Sequence, residues 1–142
     1  MKDARQQIEV DRDPDPTIFY NGPFAVLVDR SSASASEIFA AAIQDYGRGV
    51  IIGENTWGKG TVQNMIDLGM MIHTEDKKAG QIKLTQAKFY RINGSSTQRK
   101  GVSPDILFPS RYEIEEFGEE ARPSALAWDQ IPSSDYVPYM NI

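Results

Sequence analysis

The run Ser31-Ser32-Ala33-Ser34-Ala35-Ser36-Glu37 clusters hydroxyl groups between an apolar stretch and a periodic one. If the first is a strand and the second a helix, these hydroxyls sit where a helix N-terminus offers free N–H groups and positive potential. That place suits a nucleophile and the anion it creates. A serine hydroxyl is a poor nucleophile until a base takes its proton. His73 is the only histidine and has no evident acidic partner, which leaves a Ser–His–Asp triad weakly supported. Lysine is the other candidate base. A solvated lysine titrates at about 10.4 and is charged at neutral pH; burial can lower that by several units and free the amine to accept a proton. In Trp57-Gly58-Lys59-Gly60, an aromatic ring lies near Lys59, and the flanking glycines let the backbone bend and turn the amine inward.

Plainer roles compete for the same residues. Ser34-Ala35-Ser36-Glu37 also fits a capping box, with Ser34 as N-cap and Glu37 reaching back to it. A lysine between glycines suits a solvated turn or a phosphate contact, although Gly53–Gly60 lacks phosphate-loop spacing because no Ser or Thr directly follows Lys59. Ser31, Ser32 and Ser36 read as loop and cap residues, His73 as an exposed loop or strand-end residue, and Arg99-Lys100 as a solvated turn.

These residues need elements to position them. Phe24–Asp29 is a short apolar run with the length and β-branching of a buried strand. A helix is predicted from about Ala35 to Tyr46, stopped by Gly47, with Ile38, Phe39, Ala42, Ile43 and Tyr46 as its apolar face. Gly49–Gly53 is a second buried strand, so 24–53 is a strand–helix–strand unit with parallel strands. Thr61–Leu68 and Gln81–Ile92 alternate like strands around a polar excursion at Thr74–Gly80. Asn93-Gly94-Ser95-Ser96 is a turn, and Gly101–Ile106 a short terminal strand. Residues 1–23 form an arm or edge segment with a strand near Gln7–Val10, 24–109 the core, and 110–142 an extension, irregular or partly helical over Tyr112–Glu120.

The chain has 142 residues, enough for one real hydrophobic core. Its net charge of −5 argues against nucleic-acid binding and against a basic membrane patch. With no cysteine, thiolate chemistry and Cys-ligated metals are excluded. No apolar run approaches the roughly 18 residues of a membrane span. No cofactor or metal is expected.

Val28-Asp29-Arg30-Ser31-Ser32-Ala33-Ser34-Ala35-Ser36-Glu37-Ile38-Phe39-Ala40 resembles the nucleophile segment of the tail-specific (C-terminal processing) proteases, Ser–Lys serine peptidases. Gly53-Glu54-Asn55-Thr56-Trp57-Gly58-Lys59-Gly60-Thr61-Val62-Gln63 resembles the segment that carries their base. Phe89–Gly94, Thr97–Ile106 and Ala127-Trp128-Asp129 match in order, so the likeness runs from about Asp13 to Tyr136. Several ordered motifs are more specific than any one of them.

The resemblance implies an α/β fold, a fragment of a Clp-protease/crotonase-like core with the strand–helix–strand unit and additional strands. It puts Ser34 at the nucleophile and Lys59 at the base, 25 positions apart as in the resembled enzymes. Gln63 falls on the residue that orients the lysine, and Asp45 on an acidic position sometimes grouped with the catalytic set. The Ala35 N–H becomes the first oxyanion donor. Asp45 lies about 16 Å from Ser34 along one helix, which favours a packing role. Gln63 on a straight strand would sit about 13 Å from Lys59, so contact requires a bend at Gly60.

The implied partners are protein or peptide substrates with nonpolar C-termini, and the implied location is the bacterial periplasm or cell envelope, with any export signal upstream. The family's PDZ module and its second oxyanion donor are also expected upstream. Open sheet edges favour a homo-oligomer. Two other readings stand beside this one: a non-catalytic core fragment, and a crotonase-like acyl-CoA enzyme, for which no CoA-binding signal is present.

Overall fold

A computed structural model describes residues 1–3, 5, 7, 13–71, 79–112 and 116–139. The expected strand near Gln7–Val10 falls mostly outside these residues, as do His73 and most of the excursion at 74–80. In chain order the elements are β1 (Lys2–Asp3), β2 (Ala25–Val28), α1 (Ala35–Asp45), β3 (Val50–Gly53), β4 (Thr61–Asp67), the single turn α2 (Leu68–Met71), β5 (Gln81–Lys88) and β6 (Ile106–Leu107). They make two three-stranded sheets, ordered β2-β3-β6 and β1-β5-β4.

The strand–helix–strand unit forms as its pattern implies. β2 and β3 pair in parallel with Ala25 opposite Val50 and Val28 opposite Gly53, and β6 extends the sheet in parallel beyond β3. Asp105 locks that edge: its carboxylate accepts from Ile51 N–H at 2.7 Å and from Gln44 Nε2 at 2.7 Å, tying sheet to helix. Helix α1 ends at Gly47, whose φ of +60° allows the left-handed turn. Gly47 N–H donates to Gln44 O and Arg48 N–H to Ile43 O, which satisfies the last carbonyls.

The helix face differs from expectation. Glu37, Ala40 and Ala41 are the buried residues of α1, with Ile43 packed partly against the core, while Ile38, Phe39 and Tyr46 are exposed. Small side chains let the helix lie close on Val28, Ile51 and Val102. Hydrophobic size therefore pointed to the wrong face. Nor is the sheet buried on both sides, because Leu27 is 77% exposed.

β4 and β5 form an antiparallel pair from Thr61 opposite Lys88 to Asp67 opposite Gln81. The register slips between Val62 and Gln63, where Gln86 is left without an opposite residue. The strand expected to reach Ile92 ends at Lys88, and the described residues from 116 to 139 contain no helix.

Candidate active site

Ser34 stands between β2 and α1 with φ +57° and ψ −111°. A non-glycine residue there is strained by roughly 1–3 kcal/mol and persists only where its surroundings hold it. This backbone is not that of an ordinary N-cap, which lies in the β region. The Glu37 half of the capping box is made, Ser34 N–H donating to Glu37 Oε2 at 2.8 Å. Its other half, the Ser34 side chain facing the Glu37 N–H, is present as well. The Ala35 N–H, the first of the helix, is unbonded among the described residues.

Glu37 does far more than cap. Its side chain is fully buried, yet it meets four donors: Ser34 N–H (2.8 Å), Thr56 Oγ1 (2.6 Å), Gly58 N–H (2.6 Å) and Lys59 N–H (2.9 Å). Charge-assisted bonds of this kind are what a buried carboxylate needs. Oε2 accepts from both Ser34 N–H and Lys59 N–H, so those two nitrogens lie within two hydrogen-bond lengths of each other. The loops are joined again where Trp57 N–H donates to Ser32 O at 2.9 Å and Arg30 Nη1 to Thr56 O at 2.8 Å. The sequence signal for this was an acidic residue three places after Ser34, which the capping pattern seemed to explain completely.

Gly58, at φ +96°, presses on the Arg99 backbone, where a Cβ would come within 2.6 Å of Arg99 O. Lys59 is half-buried, and its Nζ donates to Thr61 O at 3.1 Å rather than to Ser34. Lys59 and Gln63 line one cleft of about 390 Å³ with Ala33, Trp57, Lys83 and Glu119. The register slip beside Gln63 puts its extra residue, Gln86, on β5 and not on the strand that carries Gln63. Gln63 Nε2 donates to Thr85 Oγ1 at 3.3 Å.

Asp45 is elsewhere. Arg91 grips it with Nε at 2.9 Å and Nη2 at 2.5 Å, and Asn93 Nδ2 adds a bond at 3.1 Å. The structure thus brings the Ser34 and Lys59 backbones together, puts Gln63 in the cleft with Lys59, and leaves Asp45 at the far end of α1, joining it to the segment after β5. No cluster of potential metal ligands occurs among the described residues.

Comparison with known proteins adds independent findings. The sequence pattern of Peptidase family S41 matches residues 1–108. The chain is similar to a tail-specific protease of Haemophilus influenzae, with 51% identity over 142 residues, all of this chain and 20% of that protein. A carboxy-terminal-processing protease of Bartonella bacilliformis is 43% identical over 94 residues, 63% of this chain and 20% of the relative. The chain therefore spans about a fifth of the length of these curated relatives. Among solved structures, a photosystem II D1 C-terminal processing protease superposes with a TM-score of 0.52 at 38% identity, covering 61% of this chain and 20% of that one. Mature CPAF gives 0.51 at 21% identity over 76% of this chain and 19% of its own, a likeness of fold alone.

Proposed function

This chain belongs to peptidase family S41, and from that premise we propose that it carries the Ser–Lys catalytic pair of a serine endopeptidase acting on proteins selected by their C-termini. The observation that carries the reading is the shared oxygen of Glu37, which draws the strained Ser34 turn and the Lys59 loop to one point. The proposal includes a Clp-protease/crotonase-like core over 24–109, an N-terminal arm over 1–23 and a C-terminal extension over 110–142.

In this reading neutral Lys59 Nζ takes the Ser34 proton as Oγ bonds to the substrate carbonyl carbon. The tetrahedral oxyanion accepts from the Ala35 N–H. Lys59 then gives its proton to the leaving amine as the C–N bond breaks, which leaves an acyl ester on Ser34. Water attacks the ester with Lys59 again taking a proton, and that proton returns to Ser34 Oγ as the acid departs. Gln63 orients the amine from within the same cleft. The Arg91 ion pair supports a packing role for Asp45 and keeps it from the reacting atoms. A bacterial periplasmic or envelope location belongs to the same proposal, and fractionation of cells checks it.

One observation favours an inactive resting arrangement of this chain by itself: Lys59 Nζ is bonded to Thr61 O and not to Ser34. The experiment is cleavage of an unfolded protein with a nonpolar C-terminus by the full-length protein and its Ser34→Ala and Lys59→Ala variants at matched folding, from pH 6 to 10. The expected result is loss of activity in both variants and a wild-type rate that rises with pH as a base loses its proton. Undiminished cleavage by either variant overturns the pair. Labelling of the 142-residue chain by a serine-directed fluorophosphonate separates an active chain from an inactive one.

A further inference from the structure

Beyond residue 108, where the family pattern ends, the chain returns to the loop that carries Lys59. Arg30 Nε donates to Phe117 O at 2.6 Å, and the Phe117 ring packs edge-on against Trp57 at 5.2 Å. Gly118 follows at φ +147°, where a Cβ would stand 2.7 Å from the Arg30 guanidinium and 3.1 Å from Trp57 O. Its missing side chain lets the strap lie directly on the loop. Glu119 N–H then donates to Trp57 O at 2.9 Å.

The Glu119 carboxylate takes one donor from each side of the lysine. Oε2 accepts from Trp57 Nε1 at 3.0 Å. Oε1 accepts from Gln98 Nε2 at 3.3 Å, while the other end of that fully buried amide, Oε1, accepts from Gly60 N–H at 2.9 Å. Glu37 holds Gly58 N–H and Lys59 N–H from the inner side. A backbone with glycine on both sides of its lysine has wide conformational freedom, and here it is fixed from two directions. No cation pairs with Glu119 among the described residues, so neutral donors of the loop and of Gln98 are its bonded partners. Glu119 also lines the cleft shared by Lys59 and Gln63.

We infer that Glu119 is a positioning residue for Lys59, reaching the base-bearing loop through Trp57 on one side and through Gln98 and Gly60 on the other. The inference rests on the Ser34–Lys59 reading. It makes the C-terminal strap part of the peptidase site.

The test uses the full-length protein with Glu119→Ala, Glu119→Gln, Trp57→Phe and, as a neighbouring control, Glu120→Gln. Three quantities are read at matched folded fraction: kcat and KM for a peptide substrate, and the rate of Ser34 phosphonylation by a fluorophosphonate from pH 6 to 10. Glu119→Ala is expected to lower kcat and the phosphonylation rate about 10-fold with KM unchanged, as misplacement of a catalytic group does. Glu119→Gln keeps one acceptor for Trp57 and is expected to recover part of the rate. Trp57→Phe falls between Glu119→Ala and wild type, and Glu120→Gln matches wild type. If Glu119→Ala does not fold, Glu119→Gln and Trp57→Phe carry the comparison. Wild-type kcat and an unchanged pH profile in both of them overturn the inference, as does a loss of thermal stability with no change in kcat. Lys59→Ala at full phosphonylation rate would overturn the underlying pair instead; Lys59→Ala inactive with the Glu119 variants at full rate overturns the positioning role alone.

Discussion

At Ser34 stability and function pull in opposite directions. Its φ of +57° is costly for any side chain, and Ala bears that cost as Ser does, whereas Gly does not. Ser34→Gly is therefore expected to be more stable than Ser34→Ala by about 1 kcal/mol, the relief of strain less the extra entropy glycine gives the unfolded chain. Chemical denaturation of the two inactive variants side by side measures this, and equal midpoints would show that the turn is not strained. Glu37 keeps the turn in place through the Ser34 N–H. Its wider role was hidden in the sequence, because a serine followed three residues later by glutamate is already accounted for by capping. What the pattern could not reveal is that Thr56, Gly58 and Lys59, some twenty positions on, all bond the same carboxylate.

Among the elements, α1 was legible in extent but not in orientation. Its ends followed from Ser34 and Gly47, which act locally; its buried face depended on what the neighbouring strands could accommodate, and Ala40 and Ala41 fit where Ile38 and Phe39 do not. The C-terminal extension was the least legible part, since its order comes from single side chains rather than from a repeating pattern. Asp129 is an example. Lys88 Nζ reaches it at 2.7 Å and Tyr90 OH at 2.9 Å, anchoring the segment after Ala127 to the end of β5. Burial works to raise the Asp129 carboxyl, but the bonds from Lys88 and Tyr90 outweigh it and hold the group below its usual 3.8. That contribution to stability is complete above the unfolded carboxyl's range and is lost as pH falls through the lower native value. Tyr90 is pushed up to about 12, first by burial and then by its bond to Asp129. Its contribution is complete below the ordinary phenol value near 10 and disappears as pH rises toward about 12. The stability difference between wild type and Asp129→Asn should therefore be steady through neutral pH and shrink on the acid side below about 3.8. Unfolding followed by tryptophan fluorescence, with Trp128 adjacent to the anchor, reads it; a difference that stays constant down to strongly acidic pH would remove Asp129 from this role.

Across the whole molecule, the parallel sheet β2-β3-β6 carries its helix on one face only. Register places Leu27 opposite Ile52 and Ile52 opposite Ile106, so these three form an apolar row across the strands on the face away from Val28 and Ile51. Leu27 and Ile106 are 77% and 50% exposed, and Leu107 and Phe108 next to them are also open. Parallel sheets in stable proteins are covered on both faces, because a bare row of this kind leaves apolar area in water that any matching surface can bury. The net charge of −5 opposes association over the whole surface but is not concentrated on this row. The 142-residue chain on its own is therefore expected to self-associate reversibly through this face. Leu27→Lys puts a charge at the most exposed position of the row without touching the core side of β2, and it should lower the weight-average mass in sedimentation toward that of the monomer. The control Ala25→Lys adds the same charge on the same face but outside the row, opposite Val50, and should give a smaller shift. An unaltered mass in Leu27→Lys would mean that the chain associates by another surface, the open edge of β2 being the next to test, since a free strand edge can pair without any side chain taking part.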